Sequence, residues 1–114
     1  MSLIAIKLNP ERLSNCNADI RYILPDLIIA RSGGVASDGG YDYAGDPPDM
    51  YIFLETDDVP RVLAELVSIV ENEEVLGNHL SRAAEIGVHD GASWKGVYPA
   101  GGSFTLPTEI EDHL

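Results

Sequence analysis

The residues best suited to chemistry or binding in this chain are the acids and tyrosines between positions 32 and 60. No lysine or arginine occurs in that stretch. Its seven acids are Asp38, Asp42, Asp46, Asp49, Glu55, Asp57 and Asp58, and its tyrosines are Tyr41, Tyr43 and Tyr51. Aromatic rings supply apolar contact and carboxylates select a partner by charge, so this combination is typical of a protein-binding surface. We therefore predict the following partner-binding residues: Asp38, Tyr41, Asp42, Tyr43, Asp46, Asp49, Asp57 and Asp58.

The same acidic stretch fits two other interpretations. A solvated hairpin with its tyrosines packed inward would use the charge for solubility alone. A cation site would use the carboxylates as ligands, although Asp38, Asp42 and Asp46 lack the close spacing and the terminal glutamate of an EF-hand loop. The composition leaves the protein-binding surface, the solvated hairpin and the cation site open.

Known nucleophilic and phosphate-binding motifs do not match the chain. Ser93 lies between Gly91 and Gly96, but that run is one residue too long for the strained turn that exposes a hydrolase nucleophile. The glycine pairs at 33–34 and 39–40 lack the lysine and hydroxyl of a P-loop and the glycine spacing of a dinucleotide-binding turn. We predict no catalytic residue and no cofactor, and the pattern favours a function other than catalysis.

Metal-ligating residues are scattered along the sequence. His79, His89 and His113 share no helix face and no short spacing, and Cys16 is the one cysteine. His89 and Asp90 could in principle form a proton-transfer pair. Adjacent residues on a strand point to opposite faces, however, so their spacing argues against contact. We predict no metal site.

The charge balance limits the class of partner. The 114 residues include 19 acids and 7 bases, which gives a net charge of −12. Such a charge repels nucleic-acid phosphates and anionic membranes, and it favours encounter with a basic protein. The chain has no apolar run long enough to cross a membrane, its first residues do not resemble a signal peptide, and its single cysteine suits a reducing compartment. We predict a cytoplasmic protein.

Apolar periodicity and capping residues predict the elements that would position these groups. They are a strand over 4–8, a short helical turn over 9–13, a helix over 25–32, a hairpin over 41–56, a helix over 59–72 and a second hairpin over 84–98. The first helix is placed at Pro25 because proline disfavours helix at the residue before it, and residues 19–24 are then extended or loosely turned. Residues 37–40 are predicted to form a turn.

This element order predicts an α+β fold with a mainly antiparallel sheet of about four to five strands and two helices on one face. A ferredoxin-like sandwich with one added strand fits it best. We expect residues 1–99 to form a single globular domain and residues 100–114 to form an acidic, peripheral C-terminal tail.

Together these features favour a non-enzymatic acidic domain that docks a basic protein, as inhibitors and toxin-neutralising immunity proteins of similar size and charge do. One alternative is a small enzyme or ligand-binding module with an acidic pocket between sheet and helices, using acids such as Asp42 or Glu55. Another is a subunit of a larger assembly, with a sheet edge or helix face covered by its partner.

Overall fold

A five-stranded antiparallel sheet organises the computed structural model, which describes residues 2–113. Within these residues the elements are β1 (Ser2–Leu8), α1 (Ile20–Arg31), β2 (Ala36–Ala44), β3 (Asp49–Thr56), α2 (Val59–Asn72), β4 (Glu74–Val75), β5 (Asn78–His79), β6 (Ala84–His89) and β7 (Trp94–Tyr98). Short 3-10 helices occupy Pro10–Arg12, Leu80–Arg82 and Thr108–His113. The strand order is β2–β3–β1–β6–β7, and β4 and β5 form a separate two-stranded sheet. The predicted α+β class, with an antiparallel sheet and two helices, is confirmed.

The central strands β1 and β3 are apolar on both faces because both faces are covered. Ile4 and Ile6 point toward the two helices, whereas Ala5 points to the opposite face, and all three are fully buried. On β3, Ile52 lies on the helix side and Phe53 on the other side. A near-continuous apolar run is the expected sequence of a strand buried on both sides.

Helix α2 has the predicted bounds. The Asp58 side chain accepts a hydrogen bond from the Arg61 backbone N–H, which caps the first turn of the helix. Its buried residues are Val62, Leu66, Ile69 and Val70. Neither α1 nor α2, nor any other helix in residues 2–113, is long and apolar enough to cross a membrane.

Helix α1 begins at Ile20, so the predicted start at Pro25 is wrong. Pro25 has no N–H to donate to the Arg21 carbonyl and its ring crowds that carbonyl, which costs about 3 kcal/mol inside a helix. Burial of Ile20, Leu24 and Ile28 opposes this cost, because each buried aliphatic side chain contributes about 1.5–3 kcal/mol. Tertiary packing therefore stabilises a helix that continues on both sides of Pro25.

The end of α1 agrees with the prediction. Ser32 is the C-cap, and Gly33 follows with a φ of 73°. The Gly34 backbone N–H donates to the Ile29 carbonyl at 3.0 Å. A left-handed glycine directly after a helix is a common way to satisfy its last carbonyls.

Strand β2 is longer than predicted, because residues 37–40 form a bulge inside the strand and not a turn. The pairing register with β3 shifts between Asp38 and Tyr41. Asp38 Oδ1 accepts a hydrogen bond from the Gly40 backbone N–H at 2.7 Å, and Gly40 has a φ of 92°. A bulge needs local hydrogen bonding and left-handed backbone, so it shares the sequence signature of a turn.

The C-terminal segment, residues 99–113, covers the face of the sheet opposite the helices. Phe104, Leu106 and Ile110 are buried there in one cluster with Tyr51 and Phe53. The expectation of a peripheral tail needs correction for these residues, because the segment's three apolar side chains complete a second core. The last position, 114, lies outside the described residues.

Trp94 on β7 forms part of the same second core. Its ring centroid lies 5.1 Å from that of Phe104, and its Nε1 is shielded from solvent without a hydrogen-bond partner in residues 2–113. The contact joins the sheet edge to the C-terminal segment.

Candidate functional site

A group of tyrosines lies where edge strand β2 meets the start of α1. Tyr41 and Tyr43 are two residues apart on β2, so they share a face, and they pair with Ile52 and Met50 on the helix side of β3. The first turn of α1 adds Arg21 and Tyr22 from the neighbouring element. We call Arg21, Tyr22, Tyr41 and Tyr43 the tyrosine face.

The rings of the tyrosine face contact one another edge to face. The Tyr22 and Tyr41 centroids are 5.7 Å apart, and the Tyr41 and Tyr43 centroids are 6.1 Å apart. Both pairs are within the range in which aromatic rings attract each other. Three rings in this geometry form a continuous aromatic surface.

Arg21 is the cation at the centre of the tyrosine face. Its Cζ lies 4.9 Å from the Tyr22 ring centroid and 4.8 Å from the Tyr41 centroid, and its Nη1 donates to the Tyr43 hydroxyl at 3.1 Å. Its Nε has no hydrogen-bond partner among residues 2–113 and is shielded from solvent. Cation–π contact and hydrogen bonding therefore hold the guanidinium against the rings.

Hydrogen bonding within the tyrosine face also shifts its proton affinities. Hydrogen bonds to Tyr43 and Tyr22 raise the pKa of Arg21 above its ordinary value. The hydroxyls of Tyr22 and Tyr41 are 3.4 Å apart. That contact raises the pKa of Tyr41 and, together with Arg21, lowers the pKa of Tyr22. Either hydroxyl can be the donor in this contact.

Exposed apolar side chains converge on the tyrosine face. Within residues 2–113 the large apolar side chains classed as exposed are Tyr22 at 46%, Ile23 at 40%, and Tyr41 and Tyr43 at 36% each. Three of these four belong to the tyrosine face, and Ile23 is next to Tyr22 in sequence. Clustered exposed aromatics mark interaction sites more often than single ones do.

Exposed carboxylates lie on the two elements that flank the aromatic patch, α1 and the loop after β2. Asp19 and Asp26 are three residues before and four residues after Tyr22, which places both on its side of α1. Asp46 lies in the loop that joins β2 to β3. All three are exposed, so they form an acidic rim.

Three of the predicted partner-binding acids have structural contacts elsewhere. Asp42 points to the opposite face of the sheet, where its Oδ2 lies 3.0 Å from His113 Nε2. Asp49 Oδ2 is 3.7 Å from Lys7 Nζ. Asp58 caps α2, as described above. These carboxylates have no position in the tyrosine face.

The remaining predicted acids are divided between the two ends of the hairpin. Asp46 lies beside the Tyr43 end, whereas Asp57 follows β3 near Ala36. A strand of this length separates the two ends by about 20 Å. Asp38 is held in the bulge between them. The structure thus brings Tyr41 and Tyr43 together, leaves Asp46 at the same end of the hairpin, and separates these residues from Asp57 and Asp58.

Sequence reasoning missed Arg21 and Tyr22 because it placed residues 19–24 outside the helix. A usable signal was present. Asp19 is a favoured residue type at helix starts, and Ile20 and Leu24 have helical spacing with Ile28. Starting α1 at Ile20 would have placed Tyr22 beside the hairpin.

His89 and Asp90, which were considered as a proton-transfer pair, both accept backbone hydrogen bonds in the turn that follows β6. The His89 ring accepts a hydrogen bond from the Gly91 backbone N–H, and Asp90 Oδ1 accepts from the backbone N–H groups of Ala92 and Ser93. These backbone hydrogen bonds hold the pKa of Asp90 below its ordinary value.

Two further candidate groups are on the surface. Cys16 is exposed and its Sγ lies 3.3 Å from the Pro10 carbonyl oxygen, while His79 Nε2 lies 2.8 Å from Glu74 Oε1. In the part of the chain from 2 to 113, no three His, Cys, Asp or Glu side chains are placed to hold a metal ion.

Comparison of the chain with protein-family models, with curated proteins and with solved structures finds no match.

Proposed function

We propose that this chain is a non-enzymatic acidic binding protein that docks a basic protein partner through the tyrosine face. The observation that carries the proposal is the convergence of Tyr22, Tyr41 and Tyr43 into one exposed patch on an edge strand. Tyrosine is enriched among residues that dominate binding energy, because it offers a large rigid ring and a polar hydroxyl. Inhibitors and immunity proteins provide the functional analogy.

Electrostatics favours a basic partner. The chain has a net charge of −12, and the acidic rim of Asp19, Asp26 and Asp46 lies on the elements that flank the patch. The single cation of the patch, Arg21, is held between the tyrosine rings. Long-range attraction would speed association with a positive surface, and contacts of the tyrosine rings would slow dissociation of the complex.

The bulge in β2 favours binding by side chains over strand addition. An incoming strand needs an uninterrupted row of backbone donors and acceptors at the sheet edge. The register shift between Asp38 and Tyr41 interrupts that row. Bulges protect sheet edges from unwanted pairing. We therefore assign the docking contacts to the tyrosine rings and not to the backbone of the edge.

The fold and location of the protein belong to the same proposal. The strand order β2–β3–β1–β6, with helices after β1 and β3, supports a ferredoxin-like sandwich extended by β7. An exposed, unpaired Cys16 supports a reducing compartment such as the cytoplasm.

Kinetic measurements on the partner would test the proposal. Proteins retained by the chain at low salt from its native host would be identified, and each purified basic candidate would be measured against variants. Tyr43→Ala and Tyr22→Ala should each speed dissociation by roughly thirtyfold or more, as expected for central aromatic contacts. Unchanged dissociation for both variants would contradict the proposal.

A charge-matched pair of triple variants separates the acidic rim from net charge. Asp19→Asn, Asp26→Asn and Asp46→Asn together should slow association and flatten its salt dependence. The control replaces Glu109, Glu111 and Asp112 by their amides, which removes the same charge from the opposite face of the sheet. Equal slowing by both triples would show that only the total charge matters. Thermal melts of every variant would confirm that the fold survives.

A further inference from the structure

An open groove of about 940 Å³ lies on the sheet face opposite the helices, away from the tyrosine face. The ends of β1, β3 and β6 form its floor, and the start of the C-terminal segment forms one side. Its charged lining residues are Lys7, Arg12, Asp49, Arg82 and Glu85. Three of the seven basic residues of the chain therefore meet in one place. The groove's volume is within the range of small-molecule sites.

The two arginines of the groove are held by connected loops. Arg12 ends one 3-10 helix and Arg82 ends another. The Asn9 backbone N–H donates to the Ala83 carbonyl at 3.0 Å, and Arg12 Nη1 donates to the Arg82 carbonyl at 3.2 Å. These two hydrogen bonds join the loops and hold the Arg12 side chain against the Arg82 backbone.

The charges within the groove are unevenly paired. Lys7 Nζ lies 3.7 Å from Asp49 Oδ2 and 3.6 Å from Glu85 Oε2. Among residues 2–113, by contrast, no carboxylate forms an ion pair with Arg12 or Arg82. Each guanidinium has five N–H donors in a planar fork, and Arg12 uses one of them on the Arg82 carbonyl. Donors for a ligand therefore remain on both residues.

We propose that this groove binds a small molecule bearing an oxyanion group, either a carboxylate or a phosphate, with Arg12 and Arg82 as its ligands. The planar guanidinium matches both groups in bidentate geometry. Two arginines that line one groove and form no ion pair with a carboxylate of residues 2–113 leave a positive site that such a group would neutralise. The ion-paired wall of Lys7, Asp49 and Glu85 would contact polar parts of the same molecule.

Net charge selects a small ligand over a polymer. The field of exposed charges is screened beyond about 8 Å at physiological salt. A molecule that fits inside the groove meets mainly the local arginines, whereas a nucleic acid or an acidic protein would also meet the surrounding carboxylates. The −12 charge of the chain repels the polymer much more strongly than the small anion.

Titrations with inorganic phosphate and with succinate would test the site. Backbone amide resonances of Arg12, Ala83 and Ser103 should shift saturably with at least one of the two anions, while chloride at equal ionic strength should leave them unchanged. Saturation by phosphate alone assigns a phosphate-bearing ligand, saturation by succinate alone assigns a carboxylate, and saturation by both assigns either group. Saturation by neither anion would overturn the proposal.

Two double variants of equal charge distinguish binding by Arg12 and Arg82 from a general effect of net charge. Arg12→Gln with Arg82→Gln should weaken binding by about tenfold or more, because hydrogen bonds to charged groups are lost. The control, Arg61→Gln with Lys95→Gln, removes the same charge outside the groove and should change affinity much less. Equal losses in the two double variants would overturn the proposal.

Two single variants complete the test. Arg82→Gln alone keeps the carbonyl that accepts from Arg12, so the loops stay joined while one guanidinium is lost. It should still weaken binding. Glu85→Gln removes one carboxylate beside Lys7 and should tighten binding. Binding that is unchanged in Arg82→Gln and weaker in Glu85→Gln would contradict the assigned roles.

Discussion

The ring of Phe104 occupies the space in which any other residue at position 87 would place its side chain. A Cβ added to Gly87 would overlap the Cγ and Cδ1 atoms of that ring. Gly87 has no left-handed φ, so the requirement for glycine comes from close approach and not from backbone conformation. The absence of a side chain at Gly87 thus allows Phe104 of the C-terminal segment to pack directly against the backbone of strand β6.

This contact predicts a non-additive pair of substitutions. Gly87→Ala should lower the free energy of unfolding by about 1–3 kcal/mol through overpacking. Phe104→Ala should lower it by about 3–5 kcal/mol through loss of a buried ring. In the double variant the alanine at 87 has room, so the total loss should be smaller than the sum. Denaturant titrations of all four proteins give the coupling, and additivity within about 0.5 kcal/mol would contradict the contact.

Leu66 and Leu63 on α2 should differ in their contribution to stability. Leu66 is fully buried, so Leu66→Ala should cost about 2–5 kcal/mol. Leu63 is only half-buried, so Leu63→Ala removes less packed surface and should cost less. Chemical denaturation measured on both variants checks the order. Equal costs would place Leu63 in the core beside Leu66.

The Asp42 carboxylate should make stability depend on acid pH. A hydrogen bond from the Tyr43 backbone N–H, followed by the contact with His113, holds the pKa of Asp42 below its ordinary value of 3.8. A carboxyl whose pKa is lower in the folded state stabilises the protein above its unfolded pKa, and that contribution disappears as pH falls through the folded value. The side chain is 41% exposed, so the effect should be below about 1 kcal/mol.

Two variants would measure the Asp42 effect. Asp42→Asn should be less stable than the unmodified chain at neutral pH, and the difference should shrink below about pH 4. His113→Gln leaves the Tyr43 backbone hydrogen bond in place, so it should remove less of the pH-dependent stability than Asp42→Asn does. Unfolding free energies measured across pH decide the question. A difference that stays constant with pH would mean that the Asp42 charge has no role.

Chelation should leave the melting temperature unchanged. The described residues offer no group of three metal-ligating side chains. A metal that stabilised the folded state would raise the melting temperature by mass action, and its removal would lower it. Thermal melts with and without EDTA check this expectation, and a drop of several degrees would identify a bound ion.

The sequence predicted those elements in which local signals and packing agree. Helix α2 has a cap at Asp58 and a single apolar stripe, and its predicted bounds are those observed. The predicted start of helix α1 was wrong because the local effect of Pro25 opposes the packing of Ile20 and Leu24. The stabilisation that these side chains gain in the core depends on distant parts of the chain, so the sequence around Pro25 does not reveal it. Residues 37–40 were predicted to form a turn because the bulge that they form has the local hydrogen bond and left-handed glycine of a turn.

The tyrosine face could be predicted only in part. Spacing along β2 is enough to place Tyr41 and Tyr43 on one side and Asp42 on the other. The approach of Tyr22 and the contact of Asp42 with His113 depend on tertiary pairing across 19 and 71 residues, respectively. The groove was equally hidden, because its arginines are 70 residues apart in the chain.

The packing of Trp94 against Phe104 gives the protein an optical reporter of its C-terminal segment. Trp94 is the single tryptophan of the chain, and its indole nitrogen is covered by protein. Detachment of the C-terminal segment would expose the indole to water and move its fluorescence to longer wavelength. The tyrosine face lies on the other side of the sheet and contains no tryptophan. Trp94 fluorescence would therefore follow the C-terminal side of the sheet separately from binding at the tyrosine face.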